Sequence, residues 1–409
     1  MRLLLFVPLL AALPAALHAA PLGFDDAVAM AEHHAPIVRA RARDADARRA
    51  SVVAAGQLPD PKLGLGVDNY PVSGPPAFTF SGDSMTMARV GISQEIPNAA
   101  KRHARTTRAE ADVGEADAVR VAEQRRVRVE AALAWIDLAF AERRHEAVKD
   151  QIGAIGRLRP PAAAEVASGS ARPAQALAVR QALLALEDRQ AEVAAEVGRA
   201  RAALARWTGD PDPEPSGPAP EIAIDAAALR ASLATLPVVE LAAARRRQAE
   251  AEVELARADK RPDFGLDLAY QRRASRYGDM ISAGVTVSLP LFAHRRQDPI
   301  IAARAASADA AQAEEEDARR SLEADLDAAL ADHRMHHEQW ARARDALLPL
   351  AHQRADLETA SYGAGRAVLL DVIEARTALA EAELQALDRE ATVVRDAVRL
   401  SLTYGRQPK

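Results

Sequence analysis

The chain has 409 residues, of which 49% are hydrophobic but only 4% aromatic, so Ala, Leu and Val supply most of its apolar side chains. This composition favours long, closely packed helices over the aromatic-rich core of a compact enzyme. The 53 basic and 58 acidic residues are interleaved and give a net charge of -5, which excludes the basic patch of a nucleic-acid-binding protein.

The first twenty residues have the pattern of a secretory signal peptide. Arg2 precedes an apolar run from Leu3 to Leu17, and small residues follow before Pro21. This order is typical of a signal peptide at residues 1–20 rather than of a buried N-terminal helix. Because the chain contains no cysteine, we expect no disulfide, no thiolate metal site and no N-terminal lipidation of the exported protein.

The first half of the remaining chain, residues 21–208, predicts a fixed order of elements. An Ala/Arg-rich amphipathic helix comes first, and two strands at about 62–70 and 85–96 follow. A segment of about 60 residues then lacks a strong helix breaker, and as a helix it would extend roughly 90 Å. A turn at about 160–173 leads into a helix that runs back, which completes an antiparallel hairpin.

The second half, residues 225–409, repeats the same order after a Pro/Gly-rich linker at 209–224. Its strands are predicted at about 263–271 and 279–290, and its hairpin turn at about 361–367. We therefore interpret the chain as an internal duplication, with helix, strand, strand, long helix and helix in each repeat. Pro349 is the only strong breaker within the second long helix.

The predicted strands alternate apolar with polar or glycine residues. In the fourth, Ile281, Val285 and Leu289 alternate with Ser282 and Thr286. Segments of about ten residues with this period-two pattern match tilted transmembrane β-strands, although a hairpin covering a soluble helical layer would alternate in the same way. Outside the first twenty residues no run approaches 18 consecutive apolar residues, so helices are not expected to span a membrane.

Four strands cannot close a barrel, because an open edge in lipid leaves backbone groups unpaired. Two chains would supply eight strands and a filled interior, whereas three would supply twelve strands and leave a lumen. Glycine and short polar inner faces favour the lumen. We therefore expect a homotrimer with a shared twelve-stranded barrel in a lipid bilayer.

Several segments resemble the TolC family of outer-membrane efflux channels. The stretch from Tyr362 to Ala375, with a Leu-Asp-Val core, is similar to the family's second hairpin turn. The segments Leu58–Leu63 and Gln94–Pro97, followed by Lys101-Arg102, are similar to the CzcC/CusC-type heavy-metal branch. The resemblance covers nearly the whole chain after residue 20.

This resemblance implies a mostly α-helical protein with a membrane β-barrel and a helical barrel in the periplasm. It implies a passive exit duct that binds a periplasmic adaptor (membrane fusion protein) and an inner-membrane RND-type pump, with heavy-metal cations as cargo. Drug efflux and type I secretion channels of the same fold are alternatives. No cofactor and no catalysis are implied, and no nucleophile, phosphate-loop or paired-acid motif is present.

The resemblance also assigns residues to a periplasmic gate. Asp371 and Glu374 match the acidic constriction, where three copies would form rings of negative charge; a solvated pair on a helix face is the alternative. Tyr362 matches a residue that holds the closed state. The arginine that partners it in the family falls one position early, at Arg366.

Other residues of the two turns are expected to shape them and to bind the adaptor. Gly363 and Gly365 make the second turn, and Gly169 lies in the first. Together with Val368 and Leu369, the second turn would form the adaptor-docking surface.

Histidine and methionine clusters are interpreted as structural. His333 and His337 share a helix face, but position 334 is Arg where a hydrolytic zinc motif has Glu, so we interpret this face as solvated and expect no metal site. Methionines at strand ends are assigned to packing at the bilayer edge. Two other classes remain as alternatives, a periplasmic adaptor with Gly-rich lipoyl-type halves and a structural coiled coil with sustained heptads.

Overall fold

The computed structural model describes residues 21–169 and 172–406. The predicted signal peptide, together with Ser170 and Ala171 of the first turn, lies outside the described residues. In chain order the elements are α1 (Phe24–His34), α2 (Pro36–Ala55), β1 (Lys62–Asp68), β2 (Met87–Ile96), α3 (Ala99–Gly156), α4 (Arg159–Ser168), α5 (Pro173–Thr208), α6 (Ala226–Ser232), α7 (Pro237–Ala258), β3 (Asp263–Arg272), β4 (Met280–Ser288), α8 (Gln297–Arg342), α9 (Leu348–Gly363) and α10 (Leu369–Tyr404).

Two compact units divide the chain. The hairpin unit comprises the described residues within 1–35, 126–226 and 328–409, and the sheet unit comprises residues 36–125 and 227–327. Each unit takes residues from both sequence halves, because α3 and α8 contribute to both. The predicted fold class, mostly α-helical with four antiparallel strands, is confirmed.

In the sheet unit, the strands form an antiparallel meander in the order β1-β2-β3-β4. The central pair joins the two sequence halves, with Ile92 opposite Leu268. β1 is shorter than predicted because Asn69, at a positive φ of 54°, turns the chain out of the extended conformation. β4 ends two residues before Pro290, which cannot donate to a strand ladder.

The two faces of the sheet differ in chemistry. One carries exposed apolar side chains, of which Leu65 and Ile281 are 74% and 75% exposed. On the other, Gly64 lies opposite Gly91, and Asp267 lies opposite Gly284. β1 and β4 each have one edge without a partner strand among the described residues. The isolated sheet thus leaves a hydrophobic face uncovered and two rows of backbone groups unpaired.

A polar cluster fixes the start of α3 to the start of β3 within the sheet unit. The Asn98 side-chain oxygen accepts the Lys101 backbone N–H (2.9 Å) and caps α3. The Asp263 carboxylate accepts the Asn98 backbone N–H (2.8 Å) and the Lys101 ammonium (3.0 Å). Residues near the ends of β2 and β3 are thereby tied to one helix terminus.

One described helical stretch, Ala226–Ala258, is long and apolar enough to cross a membrane by length and composition. The α-helix is interrupted within this stretch, since α6 ends at Ser232, a 3-10 turn covers Leu233–Thr235 and α7 begins at Pro237. The stretch is therefore two separate helices, and neither is long and apolar enough alone.

In the hairpin unit, Trp135 of α3 is fully buried and anchors the start of the described chain. Its indole N–H donates to the Leu22 carbonyl (2.8 Å), and Phe24 packs edge-on against its ring. Leu22 also forms a parallel β-bridge with Pro215. The predicted linker at 209–224 thus differs from a free tether, because its middle is hydrogen-bonded to the start of the described chain.

The second long helix accommodates its proline through a change of helix type. A π-helical turn at Ala343–Leu347 connects α8 to α9, and Pro349 is the second residue of α9. Proline lacks an N–H and its ring displaces the carbonyl four residues earlier, here that of Asp345. The wider π-helical turn lies at that carbonyl, so the helix continues past Pro349.

Candidate functional site

The second hairpin turn, in the hairpin unit, is closed by a glycine cap. Gly365 has a positive φ of 73°, a conformation that favours glycine. Its backbone N–H donates to the Tyr362 carbonyl (2.9 Å), and that of Arg366 donates to the Ser361 carbonyl (2.8 Å). These bonds satisfy the last carbonyls of α9 in a Schellman motif. Gly363, the last residue of α9, is exposed and leaves this turn accessible.

Asp371 has a structural role at the start of α10. Its carboxylate accepts the Val368 backbone N–H (3.1 Å), and its own N–H donates to the Val368 carbonyl (3.1 Å). A carboxylate in the first helical turn also interacts favourably with the helix dipole. The first of the two predicted gate acids therefore holds the helix end in place.

Glu374 differs from Asp371 in its surroundings. It is exposed one turn later in α10, and no ion pair of Glu374 is found within the described chain. The nearby cation Arg376 is directed to Asp356 (3.6 Å) and to the Thr359 hydroxyl (3.2 Å). Asp371 and Glu374 are three positions apart in the helix, so their side chains lie on the same side of it. The charge of Glu374 is thus available to a ligand or another chain.

A hydrophobic cluster lies behind these acids. It joins α3, α4, α5 and α10 and consists of Ile155, Ala162, Val179, Leu183, Leu186, Leu369 and Ile373. Leu369 is only 1% exposed, so its assignment to the docking surface is a correction: it packs the two hairpins together. Val368 and Leu370 are exposed instead, and Leu370 was missed because the sequence alone does not show which neighbour faces the core.

Tyr362 connects the two hairpins through a polar contact. Its hydroxyl donates to the Glu165 carboxylate of α4, and the ring packs against the hydrophobic cluster. This hydrogen bond, with smaller effects of burial and of the carboxylate charge, raises the pKa of Tyr362 to about 12. Arg366 is exposed. No sequence pattern points to Glu165, which lies 197 positions away in the chain.

Gly169 ends α4 in the first hairpin. Its positive φ of 74° and its N–H bond to the Val166 carbonyl (3.2 Å) form a helix C-cap. The rest of that turn, Ser170 and Ala171, lies outside the described residues.

Ion pairs hold α10 against α3 in the hairpin unit. Arg143 makes a bidentate pair with Glu390 (2.9 and 3.0 Å), and Arg144 bonds Asp388 (3.0 Å). The planar guanidinium matches a carboxylate in this fork geometry, which fixes orientation as well as distance. Oppositely charged residues that are interleaved in the sequence thus form ion pairs between helices.

The histidines of α8 differ from the solvated face predicted for them. His336 bonds Asp396 of α10 through Nδ1 (2.7 Å). His333 is half-buried, and its Nδ1 has no hydrogen-bond partner in the described part of the chain. His337 is exposed, as expected. No group of three or more His, Asp or Glu residues in the described part of the chain is arranged to hold a metal ion.

Comparisons with known proteins match this architecture. The profile of the outer membrane efflux protein family matches residues 27–210 and 228–406, one segment for each repeat. CzcC, a cobalt-zinc-cadmium resistance protein of Cupriavidus metallidurans, is 25% identical over 95% of this chain and 91% of its own length.

Solved structures show the same fold at low identity. The CmeC outer membrane channel of Campylobacter jejuni superimposes with a TM-score of 0.80 at 13% identity, over 93% of this chain and 85% of its own. CusC superimposes with a TM-score of 0.78 at 13% identity, over 94% of this chain and 92% of its own.

The chain belongs to the outer membrane efflux protein family, because the family profile covers both of its halves. The family and fold are those of channels and not of enzymes. The periplasmic adaptor and the structural coiled coil considered from the sequence therefore do not apply.

The Tyr362 contact predicts a measurable titration. Ultraviolet absorbance of the wild type minus that of Tyr362→Phe should isolate one phenol with a pKa near 12. Glu165→Gln removes the carboxylate and should lower this pKa by about one unit or more toward the ordinary value of about 10. The pKa of Tyr362 is higher in the folded than in the unfolded protein. The Tyr362–Glu165 hydrogen bond therefore stabilises the fold fully below about pH 10, and this stabilisation is lost as the pH rises through 12. A phenol that titrates near 10 in both proteins contradicts the contact.

Proposed function

We propose that the protein is the outer-membrane exit duct of a tripartite efflux system, and that it works as a passive homotrimeric channel. The observation that supports this most directly is the four-stranded sheet, with an exposed apolar face on one side and unpaired edges at β1 and β4. A lipid bilayer suits the apolar face, and sister copies of the chain provide the missing edge partners.

Three copies are favoured by the inner face of the sheet. In a closed ring, β4 of one copy would pair with β1 of the next, and three copies would supply twelve strands. The residues that would face inward include Gly64, Gly91 and Gly284, which carry no side chain to fill the interior. Eight strands would give a plugged interior, whereas twelve strands leave a water-filled passage.

The proposed gate lies at the second hairpin turn. Three copies would bring Asp371 and Glu374 together as two rings of three carboxylates each, which attract cations and narrow the passage. The Tyr362–Glu165 contact and the cluster around Leu369 hold the two hairpins of each copy together. They therefore favour the closed arrangement.

The proposed partners are a periplasmic adaptor and, through it, an inner-membrane RND-type pump. The exposed residues of the second turn offer the adaptor two glycines, a cation and two apolar side chains: Gly363, Gly365, Arg366, Val368 and Leu370. Gly169 contributes from the first turn. The helices of the hairpin unit would then lie in the periplasm.

Heavy-metal cations are the proposed cargo. CzcC is named for resistance to cobalt, zinc and cadmium and is similar over 95% of this chain. The acidic gate residues and the net charge of -5 also suit cations. Drug efflux or type I secretion through the same fold is the second candidate, because a wide passive duct would carry many substrates.

The membrane face is tested by two adjacent substitutions in β4. Val285→Arg places a charge on the apolar face and should destabilise the barrel by about 2–4 kcal/mol, because a charge near the bilayer midplane is costly. Thr286→Arg, the matched control, places the same charge on the inner face of the sheet and should be tolerated. Heat-modifiable migration and recovery from outer-membrane fractions measure the difference. Equal tolerance of both substitutions would exclude a lipid-facing surface.

The gate is tested by conductance in planar bilayers. Asp371→Asn combined with Glu374→Gln should raise the concentration of a divalent cation needed for half-block by about tenfold, since the carboxylate rings are removed. Glu187→Gln removes an exposed carboxylate of α5 and serves as the control. If the control and the double variant are blocked alike, the acids do not form the constriction.

The cargo is tested by deleting the gene from its native host. Tolerance to cobalt, zinc and cadmium should fall severalfold and return on complementation. Tolerance to organic toxicants should not change. The opposite pattern, with metals unaffected and organic toxicants more harmful, would replace the metal proposal with drug efflux.

A further inference from the structure

Two histidines of α8 lie side by side in the hairpin unit. His333 and His337 are four positions apart, and their ring centroids are 6.3 Å apart with an interplanar angle of 58°. Imidazoles at this spacing share one helix face, which is the arrangement by which helical histidine pairs hold a metal ion. Neither ring forms an ion pair with an acidic side chain of the described residues.

His333 contributes a ring nitrogen that has no partner in the described fold. Its Nδ1 is buried and has no hydrogen-bond partner among the described residues. A buried polar atom without a partner is unusual in a protein, and a bound ion or water is one way to satisfy it.

The neighbouring side chains separate the pair from the third histidine. His336 is held by Asp396 through Nδ1 (2.7 Å) and takes part in the contact between α8 and α10. His337 packs against the Trp340 ring, with centroids 5.6 Å apart and an interplanar angle of 70°. Trp340 restricts the His337 ring, and the Asp396 carboxylate adds a negative charge near His333.

We propose that His333 and His337 form a two-imidazole site for a late first-row divalent cation, Cu²⁺ or Zn²⁺, with water completing the coordination. At metal–nitrogen distances of about 2.0–2.1 Å, two rings on one tetrahedral ion have centroids roughly 5 Å apart. Side-chain rotation that brings the centroids about 1 Å closer therefore closes the site. Imidazole nitrogen selects Cu²⁺ and Zn²⁺ over Mg²⁺ and Ca²⁺.

Two protein ligands leave the site open, so it exchanges its ion readily. This is consistent with the finding that no set of three or more acidic or histidine ligands converges within the described residues. The site depends on the chemistry of one chain and does not rest on the proposed cargo. A failure of metal binding here and a failure of metal export in cells are therefore separate results.

Cu²⁺ binding to the purified full-length channel in detergent tests the site. Equilibrium dialysis should give one Cu²⁺ per chain that is lost or weakened at least tenfold in His333→Gln combined with His337→Gln. Electron paramagnetic resonance of the wild type should show coupling to two nitrogens. His336→Gln and His352→Gln remove other histidines of the hairpin unit and should change the affinity by less than threefold.

His337→Gln alone keeps the test decisive if the double variant does not fold, because His337 is exposed and its loss leaves the core intact. This variant should lose at least tenfold in Cu²⁺ affinity and one nitrogen coupling while retaining the wild-type elution volume. Unchanged stoichiometry and affinity in this variant, or a wild type that binds no Cu²⁺, would overturn the site.

Discussion

The unpaired edges of β1 and β4 are the constraint on which the rest of the structure depends. Each edge presents backbone N–H and C=O groups without partners in the sheet. In hydrocarbon, each unsatisfied group costs several kcal/mol. A chain with an apolar outer face and two such edges cannot enter a membrane alone, whereas a closed ring of copies pairs every edge. In the proposed channel, the oligomer is therefore a requirement of the sheet and not an addition to a finished fold.

The duplication lets one chain meet this constraint with few strands. β2 and β3 come from different repeats and pair over nine residues from Ala88 to Ile96. The strand pairs β1–β2 and β3–β4 therefore form one continuous sheet. The hairpin unit joins the repeats a second time, where Leu369 and Ile373 of the second repeat pack on α3, α4 and α5 of the first. Apolar packing and the Tyr362–Glu165 bond thus couple the two halves where the chain turns back.

Local sequence signals were enough for the strands, the long helices and the turn at Gly365, because each depends on a short-range pattern: period-two alternation, absence of breakers, or glycine in a left-handed conformation. The contacts between distant segments could not be read in this way. Glu165, the docked segment around Pro215 and the burial of Leu369 depend on which faces meet after folding. The π-turn before Pro349 was also missed, because the sequence predicts a break there and not the form it takes.

The two residues of the proposed gate, Asp371 and Glu374, differ in their surroundings. Asp371 caps α10 through its carboxylate, so its charge is tied to the helix start. Glu374 is exposed and makes no ion pair within the described chain, so it can change without loss of the helix end. The pKa of Tyr362 is raised to about 12, and its phenol is protonated and donates to Glu165 at physiological pH. A shift in pH within that range therefore does not release this donor, and the two hairpins stay joined at this contact.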